Sequence, residues 1–139
     1  MLISDCHTDF VTAYDIVKTS EYLSELKKHS IITLAVFTDD IINFKINSII
    51  KLIEFYRKKF NQIFLPVSIE NCSNLTFSQV RQLNAFSVTL TWNYNTKYAG
   101  GAFDNGDLTE TGINAVKCFE SDNILIDTAH LNKKSFYHL

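Results

Sequence analysis

Residues 31–70 read IITLAVFTDD IINFKINSII KLIEFYRKKF NQIFLPVSIE, and this stretch decides the fold class. Its two ends, Ile31 to Phe37 and Ile63 to Ile69, are short apolar runs rich in β-branched and aromatic residues, a pattern typical of strands buried on both faces. Between them, an apolar stripe at helical spacing predicts one long helix. The sequence therefore predicts a strand–helix–strand unit with parallel strands. The stripe consists of Ile42, Ile46, Ile49, Ile50, Ile53, Tyr56 and Phe60.

The ends of this helix carry the residues that favour them. Asp39 or Asp40 supplies an N-cap oxygen, and Arg57, Lys58 and Lys59 place cations at the negative end of the helix dipole. One conflict follows, because Pro66 falls inside the second apolar run and has no N–H to give to a sheet. The strand either begins near Val67 or turns the nitrogen of Pro66 away from any partner.

The same alternation of strand and helix runs along the rest of the chain. It predicts an α/β fold with about five parallel strands, flanking helices and right-handed crossovers, as one domain over residues 1–139. The further strands are Leu2 to Ser4, Phe86 to Thr91 and Ile124 to Asp127. The further helices are Ser20 to His29, Phe77 to Asn84, one from Thr109 with Ile113, Val116 and Phe119 inward, and Asn132 to Leu139.

Composition narrows the function classes. A net charge of -2 without a basic block makes nucleic acid an unexpected partner. The apolar runs fall short of the ~20 residues that span a bilayer, so we expect no membrane association. The N-terminus shows no secretory signal, which favours a cytoplasmic location. The cysteines Cys6, Cys72 and Cys118 are too widely spaced for a disulfide framework or zinc knuckle, and we interpret them as buried or half-buried thiols.

The segment from Trp92 to Leu108 has neither a helical nor a strand pattern. It holds three of the four glycines, Gly100, Gly101 and Gly106. A stretch of this length in a small domain is usually a binding loop or lid, or else a sign of a wrong assignment of elements. We favour the binding loop.

Four residues form a candidate metal site. His7 and Asp9 lie two apart after the first strand, so both side chains point the same way toward one cation, although an Asp capping a turn beside a surface His is the simpler alternative. Glu70 and His130 close later strands, where parallel α/β folds build their sites. Singly, Glu70 is explained as a loop or capping acid and His130 as a half-buried imidazole. Together the four favour a metal centre.

Several motifs occur in the order found in the renal-type membrane dipeptidases, zinc enzymes of the amidohydrolase-like superfamily, and the chain resembles that family over nearly its whole length. The resemblance implies a (β/α)8 TIM-type barrel with a two-zinc centre that hydrolyses dipeptides, often with a D-residue at the C-terminal position. The motifs are Asp5-x-His7-x-Asp9, Ser68-Ile69-Glu70, Leu90-Thr91-Trp92-Asn93-Tyr94-Asn95-x-x-Tyr98-Ala99, Leu108-Thr109-x-x-Gly112 and Ile126-Asp127-x-Ala129-His130-Leu131.

The resemblance also assigns roles to residues. It makes His7 and Asp9 ligands of one zinc, His130 a ligand of the other, and Glu70 the catalytic carboxylate that bridges both. In a two-metal hydrolase the ions generate hydroxide near neutral pH and polarise the scissile carbonyl. Asp127 is the weaker candidate for a residue that orients a ligand from behind.

Trp92 and Asn93 are implied to line the dipeptide pocket. Trp92 departs from the animal enzymes, which have at this place a histidine that helps to bind the substrate carbonyl. Similar bacterial proteins look to have Trp there. The indole N–H donates only, so it does not replace a cationic imidazole.

Length sets the remaining expectations. A full barrel takes ~250 residues, so 139 residues correspond to about four and a half βα units, and we expect the N-terminal part of a dipeptidase-like barrel. The family's second histidine ligand, its substrate-binding Arg and its late Asp have no counterpart, because His138 follows His130 too closely and is interpreted as a surface residue. We therefore expect little or no dipeptidase activity and at most one weakly bound zinc.

Two alternatives remain at this stage. The first is a non-enzymatic, degenerate half-barrel that forms homo-oligomers through its open sheet edges and keeps its metal residues as relics. The second is a small flavodoxin-like domain that binds an anion with its Gly-rich loop. It is the weaker one, because Gly100-Gly101 lacks the spacing of a phosphate loop.

Overall fold

Five parallel strands form one sheet in the computed structural model, which describes residues 3–9, 16–25, 29–38 and 46–139. The strands lie side by side in chain order, β1-β2-β3-β4-β5, and helices flank the sheet. The α/β prediction is thus confirmed. The elements are β1 (Ile3–Thr8), α1 (Ile16–Glu25), β2 (His29–Phe37), α2 (Ile46–Lys59), β3 (Val67–Glu70), α3 (Phe77–Gln82), β4 (Ala85–Thr89), α4 (Glu110–Ser121), β5 (Leu125–Asp127) and α5 (Lys133–His138), with a 3₁₀ turn at Cys72–Asn74.

The strand order decides between two classes of parallel sheet. A flavodoxin-like sheet has the order 2-1-3-4-5, in which the chain reverses direction across the sheet. Here each described strand pairs with its neighbour in sequence, so the flavodoxin-like alternative is wrong. The described strands do not close into a barrel, since β1 and β5 are the two edges of the sheet.

The start of β3 resolves the conflict at Pro66. The strand begins at Val67, as the first of the two alternatives has it. The carbonyl oxygens of Phe64 and Pro66 accept hydrogen bonds from the backbone N–H groups of Ile32 (3.0 Å) and Leu34 (2.8 Å). Pro66 therefore bonds to β2 through its carbonyl oxygen, and its missing N–H costs no ladder bond.

The first two helices differ from the predictions at their ends. The helix expected over Ser20 to His29 is wrong in its bounds: α1 begins at Ile16, and His29 already belongs to β2, where it pairs with Ile3 of β1. Strand pairing outweighs helical spacing at this point. The α2 prediction is confirmed from Ile46 onward, with three basic residues in its last turn, while its proposed caps Asp39 and Asp40 lie outside the described residues.

The third and fourth helices both begin at a threonine N-cap. Thr76 caps α3 through a reciprocal capping box with Gln79, and the Thr109 hydroxyl accepts the backbone N–H of Gly112 at 2.9 Å in α4. The predicted inward face of α4 is partly wrong, because Phe119 is buried but Ile113 is 41% exposed. Gly112 faces inward instead, where an added Cβ would overlap the backbone carbonyl of Tyr98. The close approach of that loop sets the rotation of the helix.

The two faces of the sheet differ in chemistry. One face joins a single apolar core with the helices, and Val36, Ile69 and Val88 lie in register across it. The other face carries smaller polar groups, among them Ser68 and Ser87, whose hydroxyls are hydrogen-bonded at 2.9 Å. Glu70 lies on this second face at the carboxyl end of β3, because it is two residues after Ser68.

Two further predictions concern the cysteines and the membrane. Cys72 is buried and Cys118 is half-buried, as expected, but Cys6 is exposed, so the prediction is wrong for that thiol. Cys6 lines a groove together with Ser68 and Ser87 of the polar face. Within the described ranges, every helix is too short or too polar to serve as a membrane span.

Candidate metal centre

A cleft of about 300 Å³ lies at the carboxyl ends of four consecutive strands. His7 stands near the end of β1 and Asp9 directly after it, Phe37 and Glu70 are the last residues of β2 and β3, and Trp92 follows β4. Because parallel strands all run in the same direction, their carboxyl ends lie side by side, which brings these five residues together. His7, Asp9, Glu70 and Trp92, which the sequence marked as functional, thus line one cleft, and Phe37 joins them without having been predicted.

Three potential ligands converge inside the cleft. His7, Asp9 and Glu70 each offer one ligand atom, and these atoms all lie within 4.8 Å of one another. Donor atoms that share a tetrahedral zinc lie about 3.4 Å apart, given metal–ligand distances of ~2.0–2.2 Å. The cluster therefore needs only a small contraction of its side chains to hold an ion. His7 and Asp9 are exposed, so little packing opposes that movement.

His7 and Asp9 also contact each other directly. His7 Nε2 lies 3.0 Å from Asp9 Oδ1, which confirms that the two side chains point the same way. The simpler alternative was an Asp that caps a turn beside a surface His. Asp5 has that capping contact, since its Oδ1 accepts the backbone N–H of His7 at 3.2 Å. The other oxygen of Asp5 accepts the Tyr22 hydroxyl, and burial together with this hydrogen bond raises the pKa of Tyr22. Asp5 is thus a supporting residue, a role that its place in the motif did not predict.

His130 contacts the carboxylate of Glu70 from the turn that follows β5. Its Nε2 lies 2.9 Å from Glu70 Oε1, with side chains that are 30% and 11% exposed. The predicted strand Ile124 to Asp127 agrees with β5 at its end, but the prediction that His130 closes a strand is wrong, since β5 ends at Asp127. His130 stands three residues beyond, with a left-handed φ of 67°, and this turn aims the imidazole back at β3.

Asp127 shapes the turn that carries His130. Its Oδ1 accepts the backbone N–H of Ala129 at 2.9 Å. Asp127 therefore acts on the backbone between β5 and His130, and its role as a residue that orients a metal ligand stays a prediction.

Glu70 is the central group of the site. It is a nearly buried carboxylate with His130 on one side, and ligand atoms of His7 and Asp9 lie within 4.8 Å of it. A carboxylate removed from water is costly unless a positive group or hydrogen-bond donors compensate it. The imidazole of His130 provides one such donor. Imidazole nitrogens and carboxylate oxygens are also a ligand set that zinc accepts, so the donor chemistry fits the metal that the resemblance implies.

Aromatic side chains form one wall of the cleft. Phe37 and Trp92 pack edge to face with ring centroids 4.8 Å apart, and the Trp92 ring lies 6.4 Å from that of His130. The backbone carbonyl of Asn93 accepts the N–H of Phe103 at 2.8 Å, which pins the loop beside Trp92. The substrate-binding roles of Trp92 and Asn93 stay predictions.

The loop from Trp92 to Leu108 contains no helix or strand, as predicted, apart from one bridge between Gly101 and Leu131. It is held by the start of α5, because Asn132 Nδ2 donates to the carbonyls of Asp104 (3.0 Å) and Gly106 (2.9 Å). These hydrogen bonds hold the loop that begins at Trp92. Asn132 begins the predicted last helix, but no sequence pattern predicts that its side-chain amide bonds to loop carbonyls.

His138 lies on the surface, away from the cleft. It is exposed and its Nδ1 is 2.6 Å from Asp107 Oδ1, while Lys134 Nζ is 3.0 Å from the other oxygen. The interpretation of His138 as a surface residue is consistent with this contact.

No model of a known protein family matches the chain, and no curated protein matches its sequence. The dipeptidase resemblance therefore stays a prediction.

Proposed function

We propose that the chain carries the metal centre of a metal-dependent dipeptidase, with His7, Asp9, Glu70 and His130 as ligands. The observation that supports this most is the position of the Glu70 carboxylate, which is 2.9 Å from His130 and within 4.8 Å of ligand atoms of both His7 and Asp9. A carboxylate with imidazoles on two sides is suited to bridge two ion positions. When bound, zinc would lower the pKa of a water molecule and polarise a carbonyl.

The protein groups around this position have separate tasks. Glu70 is the proposed catalytic residue, since its carboxylate stands between the two sets of donors. Phe37 and Trp92 exclude water from one side of the cleft, which strengthens the electrostatic interactions inside it. The Trp92 indole N–H is a donor for a peptide carbonyl but carries no charge.

The proposed fold is an incomplete (β/α)8 barrel. Two features support it: neighbouring strands follow one another in sequence, and the cleft lies at their carboxyl ends. Barrel enzymes have both features. Doubly wound sheets have the second but not the first.

The number of donors limits the metal content. A two-zinc centre needs more ligands than these four side chains supply, and a single zinc keeps a place for water only when three protein groups bind it at one time. We therefore expect at most one zinc, weakly bound, in place of the two of the full family site. The four proposed ligands are committed to the ion, and none of them is left for general acid or base assistance, which is worth ~10²- to 10⁴-fold in rate. Dipeptide hydrolysis by this chain should therefore be slow or undetectable.

Zinc titration calorimetry tests the proposal directly. The wild-type chain should bind about one zinc, and His7→Gln should weaken that affinity at least tenfold, because it removes one of four ligands. His138→Gln is the matched control, since it removes an exposed histidine outside the cleft. Hydrolysis of alanyl-L-alanine and alanyl-D-alanine, measured in parallel, should be slow and should stop on chelation. Absence of zinc binding, or equal affinity in His7→Gln, would contradict the proposal.

A second candidate is a non-enzymatic assembly unit. It is favoured by the open β5 edge, where Leu125 is 55% exposed beside an apolar groove formed with α4. Unpaired strand edges attract further strands, so a second copy of the chain is the proposed partner. Sedimentation equilibrium should then show a dimer or larger species without zinc, and Leu125→Lys should shift it to monomer. A metal-free monomer at high concentration would exclude this alternative.

A further inference from the structure

Two threonines at the end of β4 connect the parts of the candidate centre. Thr91 Oγ1 donates to the backbone carbonyl of His130 at 3.0 Å, and the carbonyl of Trp92 is a second, longer acceptor at 3.2 Å. Thr89 Oγ1 accepts the backbone N–H of Asn71, the residue after Glu70, at 2.8 Å, and donates to the carbonyl of Thr91 at 2.8 Å. A chain of three hydrogen bonds therefore runs from the Glu70 strand end to His130.

Both threonines are removed from water. Thr89 is 2% exposed and Thr91 is 0% exposed. A buried hydroxyl is retained only where it is hydrogen-bonded, since an unmade bond there is costly. In the segment Ser87-Val88-Thr89-Leu90-Thr91, Val88 and Leu90 enter the apolar core and the hydroxyls face the other side. The hydroxyls are thus directed to the side of the sheet on which Glu70 lies.

The hydrogen bonds act where the backbone is unusual. Asn71 has φ 58° and His130 has φ 67°, a left-handed conformation that residues with a Cβ adopt rarely. Asn71 directly follows the proposed ligand Glu70, and His130 is itself a proposed ligand. Asn71 is hydrogen-bonded to Thr89 and His130 to Thr91. The strained backbone needs such external contacts to persist.

We propose that Thr89 and Thr91 are positioning residues that set the distance between the Glu70 carboxylate and the His130 imidazole. This inference rests on the proposed metal centre. Thr89 ends β4 and Thr91 follows two residues later, and β4 lies between β3 and β5. The two hydroxyls therefore tie the ends of both flanking strands to one short segment. Thr91 gives the sharper test, because Asn71 has a further hydroxyl partner in Thr38, which donates to its carbonyl.

The variant Thr91→Val keeps the shape of the side chain and removes the hydroxyl, while Thr91→Ser restores it. Co²⁺ replaces zinc as a spectroscopic probe. Thr91→Val should weaken Co²⁺ binding about tenfold to a hundredfold and alter the d–d absorption of the bound ion, and Thr91→Ser should bind nearly as the wild type does. Equal affinity in Thr91→Val and the wild type would overturn the inference.

Thr109→Val is the control for general destabilisation. It removes a hydroxyl that caps α4 and donates to the carbonyl of Lys97 at 2.7 Å, remote from the cleft. It should lower the melting temperature at least as much as Thr91→Val does and leave Co²⁺ affinity unchanged. If Thr109→Val weakens Co²⁺ binding to the same extent, the effect at Thr91 is one of stability and the inference is wrong.

A metal-free measurement separates this inference from the proposed function. If the wild-type chain binds no Co²⁺, the proposed function fails, and the position of His130 is then measured by nuclear Overhauser effects between its ring and that of Trp92. Those effects should be present in the wild type and Thr91→Ser and reduced in Thr91→Val. Unchanged effects in Thr91→Val would overturn the positioning role.

Discussion

Replacement of Glu70 by glutamine should remove most of the stabilisation that zinc gives to the folded chain. An ion that binds only the folded state stabilises it by about 2.7 kcal/mol at a concentration one hundred times its Kd. An unfolding entropy of ~2.1 cal/mol/K per residue gives about 0.29 kcal/mol/K for 139 residues. The wild-type melting temperature should therefore rise by about 9 °C at that zinc concentration.

Glu70→Gln keeps the size of the side chain but removes the charge that both sets of donors share. With an affinity a hundredfold lower, the same zinc concentration equals the Kd of the variant, and the stabilisation falls to about 0.4 kcal/mol, or ~1–2 °C. Differential scanning calorimetry with and without zinc measures both shifts. Glu120→Gln, an exposed acid on α4, should retain the full rise.

Two results would refute this reasoning. A rise of about 9 °C in Glu70→Gln would show that zinc binds elsewhere. A wild-type protein that zinc does not stabilise at any concentration would show that the four residues do not form a centre in this chain.

Three further predictions concern stability and reactivity. Loss of water around Asp107 acts to raise the pKa of its carboxyl group, but hydrogen bonds from Lys134, His138 and the Leu108 backbone outweigh it and lower that pKa. The stabilisation from these contacts is present above the ordinary carboxyl pKa and is lost as pH falls through the lowered value. The free energies of unfolding in urea of the wild type and Asp107→Asn should therefore converge in acid. Burial raises the pKa of Cys72 to about 12, and a thiol reagent at pH 8 should modify exposed Cys6 quickly but Cys72 only after unfolding. Phe119→Ala should cost ~3–5 kcal/mol in urea unfolding, because Phe119 is 1% exposed and packs on Phe77; a cost below ~1 kcal/mol would contradict this packing.

The fold was predictable from the sequence because its signals are local. Residues 31–70 contain two β-branched runs and a helical stripe, and the parallel pairing of β2 with β3 follows from the helix between them. The errors arise where a distant contact decides. His29 pairs with Ile3 although the spacing around it is helical, and Ile113 turns outward because Gly112 packs on the Tyr98 carbonyl.

The candidate site was predictable in its residue types and only partly in its geometry. His7, Asp9 and Glu70 follow from the rule that parallel strands end at one edge. The approach of His130 to Glu70 depends on a left-handed turn after β5, and a strand pattern does not encode it. The supporting hydroxyls of Thr89 and Thr91 could not be predicted, because threonine is common in β-strands whether or not its hydroxyl has a role.

The order of the strands has a consequence for how the protein forms. Each described strand pairs with the one just before it in the chain, so a strand and the next helix can dock onto an existing edge without threading through finished structure. Contacts close in sequence reduce the entropy lost before they form, which favours rapid folding. During synthesis, β2 and β3 can thus pair before β5 leaves the ribosome. Amide hydrogen exchange should be slowest in this pair and faster at both edge strands.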